Sequence, residues 1–272
     1  MTTLRRQALQ LLLERDADAK AAGTRAIDAA NGEVGAAEAL AAPAGIPGRP
    51  AKPELVAHTK LKTRSVHTLE GRAALIHAIA HIELNAIDLA LDIAWRFNAQ
   101  PDAFYRQWLT VAREEALHFT LLRDHLRTLG FEYGSFAAHN SLWEMAEKTR
   151  FDLLARLALV PRTLEARGLD ASPPIKAKLL AAGDEAGAAI IDVILRDEIG
   201  HVAIGNHWYR VQCLARGLDP IATYAQLAAE HKAPRPRGPF NFPARRAAGF
   251  DEAELDALER PSAEATLAKA AT

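Results

Sequence analysis

Two Glu-x-x-His sequences are the features of this chain best suited to chemistry: Glu115-Ala-Leu-His118 and Glu198-Ile-Gly-His201. On a helix, residues three apart lie about one turn from each other on the same face, so each pair converges on one point. The residues one or two turns away in both segments are largely apolar, which predicts that the two carboxylates face the protein interior. Burying a carboxylate without a positive partner is very unfavourable in free energy, and one cluster of divalent metal ions would compensate the charges of both carboxylates.

A third carboxylate, Glu83, lies on a similarly apolar helical face. Glu83 precedes Asn98 by 15 residues, and Glu115 follows Pro101 by 14 residues. Because a helix rises about 1.5 Å per residue, both carboxylates would lie about 22 Å from a short connection between two antiparallel helices. The matching heights predict that Glu83 and Glu115 meet.

A fourth carboxylate is expected from a third helix, where Glu165 is the favoured candidate. Glu165 precedes Glu198 by 33 residues, close to the separation of the carboxylates in the first pair. However, Glu165 is only three residues from Gly168, the predicted helix end, so the following connection would have to climb roughly 16 Å. Asp152 and Glu147 remain alternatives, and Glu147 shares the helical face of Glu165.

Four long segments with helical apolar spacing supply these positions, and strand signals are scarce. Their ends carry helix start and stop signals, including a capping box at Ser141 and a glycine at three of the C-termini. The segments are about Thr68–Asn98, Pro101–Gly130, Ser141–Gly168 and Asp184–Gly217. Their length, and an aromatic content of only 6%, favour an all-α four-helix bundle.

The flanks divide the chain into three regions. Residues 1–66 are expected to form one charged amphipathic helix, over about 1–31, and a Pro/Gly linker. Residues 67–217 form the bundle. Residues 218–272 are expected to pack on it with a helix near 221–231, a Pro/Arg-rich stretch without regular structure and a small helix at 251–260.

Composition narrows the classes of protein and partner. The 272 residues suit one large domain or two small ones. The 33 Lys and Arg residues nearly balance the 34 Asp and Glu residues, so no strong electrostatic field attracts nucleic acid or an acidic membrane surface. Cys213 is the single cysteine, which excludes an intramolecular disulfide and a thiolate-cluster metal site. Without an apolar run of 18 residues, neither a membrane span nor a secretory signal is expected, and we expect a cytoplasmic protein.

The ligand pattern resembles that of the ferritin-like di-iron carboxylate proteins, in which Glu, Glu-x-x-His, Glu and Glu-x-x-His lie on four helices. More narrowly, five sequences are similar to a bacterial ferritin-like family of unknown function. They are HIELNAIDLALD, REEALHF, LVPRTLEARGLD, RDEIGHVAIGNHWY and GPFNFPARRAAGF.

This resemblance implies a ligand set. It comprises Glu83, Glu115, His118, Glu165, Glu198 and His201. Glu115 and Glu198 would bridge the metals, and no catalytic residue beyond the ligands is implied. The resemblance also implies that Glu114 and Asp197 hold the far nitrogens of the histidines and fix their tautomers.

Oxygen and nitrogen ligands suit iron or manganese, so the expected cofactor is two Fe ions, with Mn or mixed Mn/Fe as alternatives. The leading functional hypothesis is an enzyme that reduces O2 and oxidises an unknown small molecule, with an unidentified electron donor. The alternatives are a ferroxidase, a tRNA-type hydroxylase and a non-catalytic metal-binding bundle. The sequence leaves the oligomeric state open, including a homodimer.

Five other residues with functional side chains are interpreted as structural. His81 points about 160° away from Glu83 around its helix, so His77 and His81 are read as packing or surface residues. His125 and His207 fall off the ligand faces. Tyr209 shares the face of Glu198 but is read as a core residue rather than a redox-active tyrosine.

Overall fold

The computed structural model describes residues 2–259, which form an all-α protein. The α-helices are α1 (Leu4–Leu12), α2 (Ala17–Arg25), α3 (Leu69–Arg96), α4 (Asp102–Thr128), α5 (Ser141–Lys148), α6 (Leu153–Leu159), α7 (Ala166–Ala181), α8 (Glu185–Ala215), α9 (Pro220–Glu230), α10 (Phe242–Ala247) and α11 (Glu252–Glu259). A 3-10 turn spans His58–Lys60, and a π-helical segment spans Val160–Glu165. Within the described range there is no strand, and one isolated bridge joins Leu55 to Ala138.

The bundle consists of two helical hairpins. Helices α3 and α4 pack along their length across a short connection, and α7 packs on α8 in the same way. Contacts of α4 and α6 with α8 join the hairpins into one core. The first predicted hairpin is therefore confirmed. The Thr68 hydroxyl begins α3 by accepting a hydrogen bond from the Gly71 N–H at 3.1 Å.

The third rod of the bundle differs from the predicted single helix over 141–168. Helix α5 ends at Lys148, and Asp152 starts α6 by accepting a hydrogen bond from the Leu154 N–H at 2.9 Å. Pro161 has no N–H to continue the α6 ladder, and the chain passes through the π-helical segment into α7. Because the helix breaks twice, the register predicted from regular spacing was wrong here.

Helix α7 also runs past Gly168, the predicted helix end, and through Pro173 and Pro174. A proline at 173 leaves the Leu169 carbonyl without its usual helical donor. The Asn241 side-chain amide donates to that carbonyl instead, at 3.1 Å. This contact from the C-terminal region replaces the lost hydrogen bond and lets the helix continue to Ala181.

Because α7 extends to Ala181, Glu165 lies at nearly the same level along the bundle as Glu198. Glu165 lies 16 residues before Ala181, and Glu198 lies 13 residues after Glu185, on either side of a short turn. At about 1.5 Å per residue, their distances from the turn differ by about 4–5 Å. The predicted rise of the connection after Gly168 is therefore provided by α7 itself.

The flanks pack on the bundle with two differences from expectation. The N-terminal region contains two helices, because Asp16 caps α2 by accepting from the Ala19 N–H at 2.8 Å. The Pro/Arg-rich stretch contains α10, which Asn241 caps through the Ala244 N–H at 3.3 Å. Helices α9 and α11 lie close to their predicted positions.

Among the described helices, α3 is long and apolar enough to cross a membrane by length and composition. However, 78% of its most apolar window is buried inside the protein. Its hydropathy is therefore accounted for by packing at the centre of the bundle.

Candidate metal centre

Carboxylate and imidazole groups from three helices converge in the bundle core. Ligand atoms of Glu83 on α3, Glu115 and His118 on α4, and Glu198 on α8 all lie within 4.8 Å of one another. All four residues are buried, with Glu115 and His118 fully enclosed. The predicted meeting of Glu83 with Glu115 is thus observed.

His118 joins the two helices of the first hairpin. Its Nδ1 lies 3.3 Å from a Glu83 oxygen and 3.2 Å from a Glu115 oxygen. Its Nε2 lies 3.0 Å from Asp197, which Arg196 also contacts at 2.8 Å. With a metal bound at Nδ1, the proton of the neutral imidazole would lie on Nε2, where Asp197 can accept it.

His201 repeats this arrangement in the opposite direction. Its Nε2 lies 2.7 Å from Glu114, and its Nδ1 lies 2.9 Å from Glu115 and 3.8 Å from Glu198. Helix α4 therefore orients the histidine of α8, and α8 orients the histidine of α4. Glu115 lies between the two imidazoles, with one oxygen towards each.

Several inward-facing atoms in the core have no aligned hydrogen-bond partner among the described residues. They are one carboxylate oxygen each of Glu115, Glu165 and Glu198, together with His201 Nδ1. His201 Nδ1 approaches a Glu115 oxygen to 2.9 Å but without the alignment of a hydrogen bond. A cation coordinated by these nitrogen and oxygen atoms would satisfy all of them together.

The carboxylates also crowd one another electrostatically. Burial, reinforced by the charge of Glu115, raises the pKa of Glu83 well above its usual value, and the same two causes raise the pKa of Glu198. Burial followed by the charges of Glu198 and Glu115 raises the pKa of Glu165. Such mutual repulsion is relieved by bound positive charge.

Protons provide that charge in the metal-free protein. Burial alone would lower the pKa of His118, but hydrogen bonds to Glu115 and Glu83 outweigh it and raise the pKa to about 11. For His201, burial is likewise outweighed by Glu115 and Glu114, and its pKa is raised well above the usual value. Glu115 lies between these two cations, which overcome its burial and lower its pKa. Cation binding would displace these protons.

The third-rod carboxylate nearest the cluster is Glu165. The residue as a whole is half-buried, but its Oε2 is shielded from solvent. The charges of Glu198 and Glu115 contribute to its raised pKa, which indicates that both carboxylates are near. The alternatives lie on the surface: Asp152 is 3.6 Å from Arg216, and Glu147 is 2.8 Å from Arg150.

Three buried histidines outside the cluster have structural partners. His77 Nε2 accepts from the Gly134 N–H at 2.9 Å, and His81 Nδ1 lies 2.8 Å from the Tyr133 hydroxyl. His125 Nε2 lies 3.0 Å from Asp184, which caps α8.

The remaining candidates divide between the core and the helix surface. Tyr209 is a core residue, and its hydroxyl donates to the Pro220 carbonyl at 2.7 Å. His207 is exposed and packs edge-on against Trp208.

Two glycines matter to the site in ways that the sequence reading missed. A Cβ on Gly168 would touch the Glu198 carboxyl carbon at 3.8 Å. A Cβ on Gly205 would lie only 2.6 Å from Pro161 Cβ, so the glycine lets the π-helical segment that carries Glu165 approach α8. The sequence feature that could have identified these positions is a glycine within an otherwise apolar helical segment.

Residues 13–256 match the family described as "Protein of unknown function (DUF455)". The chain belongs to this family. It is also similar to an uncharacterized protein of Haemophilus influenzae, with 52% identity over 214 residues, which cover 76% of this chain and 74% of that protein. No solved structure matches the chain.

Proposed function

We propose that this member of the DUF455 family is a non-haem di-iron carboxylate protein, or a mixed Mn/Fe one, that activates O2 for oxidation of a small molecule. The observation that carries the proposal is the convergence of buried carboxylates and imidazoles, in which three carboxylate oxygens and His201 Nδ1 have no aligned hydrogen bond from residues 2–259. The order of the ligands over four rods supports a ferritin-like centre.

The proposed ligands balance the charge of two divalent ions. They are Glu83, Glu115, His118, Glu165, Glu198 and His201. Four carboxylates supply four negative charges, and two neutral imidazoles complete a set of oxygen and nitrogen donors that suits iron or manganese. The position of Glu115 between both histidines fits a bridging role, and Glu198 is the second proposed bridge.

If two Fe(II) ions were bound by these residues, they would supply electrons for the reduction of O2. The protein supplies orientation: Asp197 and Glu114 accept from the Nε2–H groups of the two histidines and keep both Nδ1 atoms directed inward. Complete burial of Glu115 and His118 excludes water from that part of the site. Glu165 is half-buried, so we propose that O2 and substrate reach the centre from its side.

A ferroxidase is the second candidate, and one observation favours it. Neither of the two cavities that we describe among residues 2–259 is lined by a proposed ligand, so neither offers an organic substrate a place beside the centre. The tRNA-hydroxylase alternative has less support, because Arg245 and Arg246 in the arginine-rich stretch pair with Asp170 and Glu252.

Metal content tests the centre directly. Protein from iron-supplemented cells, reloaded anaerobically with Fe(II), is expected to contain two metal ions per chain. Glu115→Ala and His201→Ala should lose this metal while circular dichroism stays helical. Glu165→Ala should reduce loading, and Glu147→Ala is the matched control because Glu147 is a surface carboxylate of the same region. Less than one metal per wild-type chain, or full loading of both Ala variants at Glu115 and His201, would contradict the proposal.

Oxygen consumption then separates the two functions. A ferroxidase is expected to oxidise many equivalents of added Fe(II) at a sustained rate. An oxygenase or oxidase should consume O2 once per loaded centre and turn over only with an organic substrate and a reductant. A loaded protein that consumes no O2 in either experiment would leave only a non-catalytic metal-binding role.

A further inference from the structure

A cavity of about 130 Å³ lies between the C-terminal helices and the π-helical segment. Most of its lining is apolar or aromatic, but two buried arginines border it. The residues that matter here are Arg162, Ile221, Tyr224, Arg245, Phe250 and Glu254. None of them belongs to the proposed metal centre.

Arg162 is an unusual residue for a protein interior. Its guanidinium lies 4.9 Å from the ring centres of Tyr209 and Phe250 and 5.4 Å from that of Tyr224. It donates to Asn206 at 2.8 Å and to Glu254 at 2.5 Å, but its Nε–H has no acceptor in the described part of the chain. A buried donor without an acceptor is unfavourable, so the hydrogen bonding of this guanidinium is incomplete.

The local charges are also unequal. Glu254 accepts from Arg162 and also from Arg210, at 2.6 Å, so one carboxylate serves two guanidinium groups. Arg245, which also lies over the Phe250 ring, is matched separately by Asp170. The ionic group formed by Arg162, Arg210 and Glu254, of which Arg162 and Glu254 line the cavity, therefore carries a surplus positive charge that favours an anion.

We propose that this cavity binds a small organic anion, specifically a carboxylate on an apolar body about the size of one aromatic ring. The volume is close to that of an engineered cavity of about 150 Å³ that binds benzene. The carboxylate would pair with the Arg162 guanidinium, while the ring packs against Phe250 and Ile221. The proposal is independent of the metal centre, because it uses no ligand of that centre.

Benzoate is the probe for this site, and benzyl alcohol is its neutral counterpart. In calorimetric titrations of the full chain, benzoate is expected to bind with a dissociation constant of about 1 mM or tighter. Benzyl alcohol should bind at least about tenfold more weakly, because it cannot form a charge-assisted hydrogen bond. Equal affinity for the two probes would overturn the assignment of an anion site, and no benzoate binding would overturn the site itself.

Two variants of one helix locate the binding. Ala257 is an exposed residue of α11 that lines the cavity, so Ala257→Leu fills it without disturbing the core. Ala253 is also exposed on α11 but does not line the cavity, so Ala253→Leu is the matched control. Loss of benzoate binding in Ala257→Leu alone is expected. Unchanged binding in Ala257→Leu, or equal loss in both variants, would place the probe elsewhere and overturn the proposal. Both variants should retain the metal content of the wild type.

Discussion

The packing of α8 against the π-helical segment leads to a pair of contrasting glycine substitutions. In Gly205→Ala the new Cβ would lie 2.6 Å from Pro161 Cβ, whereas the usual carbon separation is about 3.5–4 Å. The π-helical segment must therefore move by about 1 Å. Gly200, five residues earlier on the exposed face of α8, is the matched control, because a Cβ added there would meet no atom of the described chain within 4 Å.

The two substitutions should have opposite effects on stability. Gly200→Ala is expected to stabilise the protein by about 0.5–1 kcal/mol, the usual gain of alanine over glycine in a helix. Gly205→Ala has the same helical gain, but overpacking costs about 1–3 kcal/mol, so the two variants should differ by that amount. Urea unfolding of metal-free protein measures the difference.

Metal binding gives a second readout of the same pair. Pro161 lies four residues before Glu165 in one π-helical segment, so its displacement should move that carboxylate and weaken metal loading in Gly205→Ala. Gly200→Ala should load normally. Equal stabilisation of both variants, with equal metal content, would refute the claim that the glycine at 205 positions this segment.

Three further predictions concern buried polar residues. Asp92→Asn should lower the unfolding free energy by about 3–5 kcal/mol in denaturant titrations, because it removes the main charge partner of the fully buried Arg156. Arg5→Met should cost about 3 kcal/mol by the same measurement, since Arg5 donates to the Trp95 carbonyl at 2.5 Å near the end of α3. Burial lowers the pKa of His77 to about 4, below its ordinary unfolded value, so its neutral form adds stability that is lost as pH falls from about 6.5 towards 4. His77→Gln should therefore reduce the pH dependence of unfolding in that window by about 3 kcal/mol, and an unchanged profile would contradict this assignment.

The first hairpin shows how far sequence reasoning reaches. Helices α3 and α4 are regular and their connection is short, so counting residues from the connection was enough to place Glu83 beside Glu115. The Glu-x-x-His spacing needed only the helical repeat, which fixes the shared face without knowledge of any distant contact.

The third rod shows where that reasoning fails. The chain breaks at Asp152, passes through a π-helical segment at Pro161 and then continues as a helix through Pro173. The Asn241 amide that replaces the lost hydrogen bond of α7 comes from 72 residues away, and no local pattern indicates it. The height of Glu165 followed from these contacts rather than from its spacing.

Local regularity therefore determined the all-α class, the two Glu-x-x-His faces and the matching heights of the first hairpin, because a helix has a fixed rise and turn. Tertiary packing decided which third-rod carboxylate lies near the cluster, how each histidine is oriented by the opposite helix and where the arginine-lined cavity forms. These features depend on side chains from separate helices, whose relative positions are set only when the bundle closes around one core.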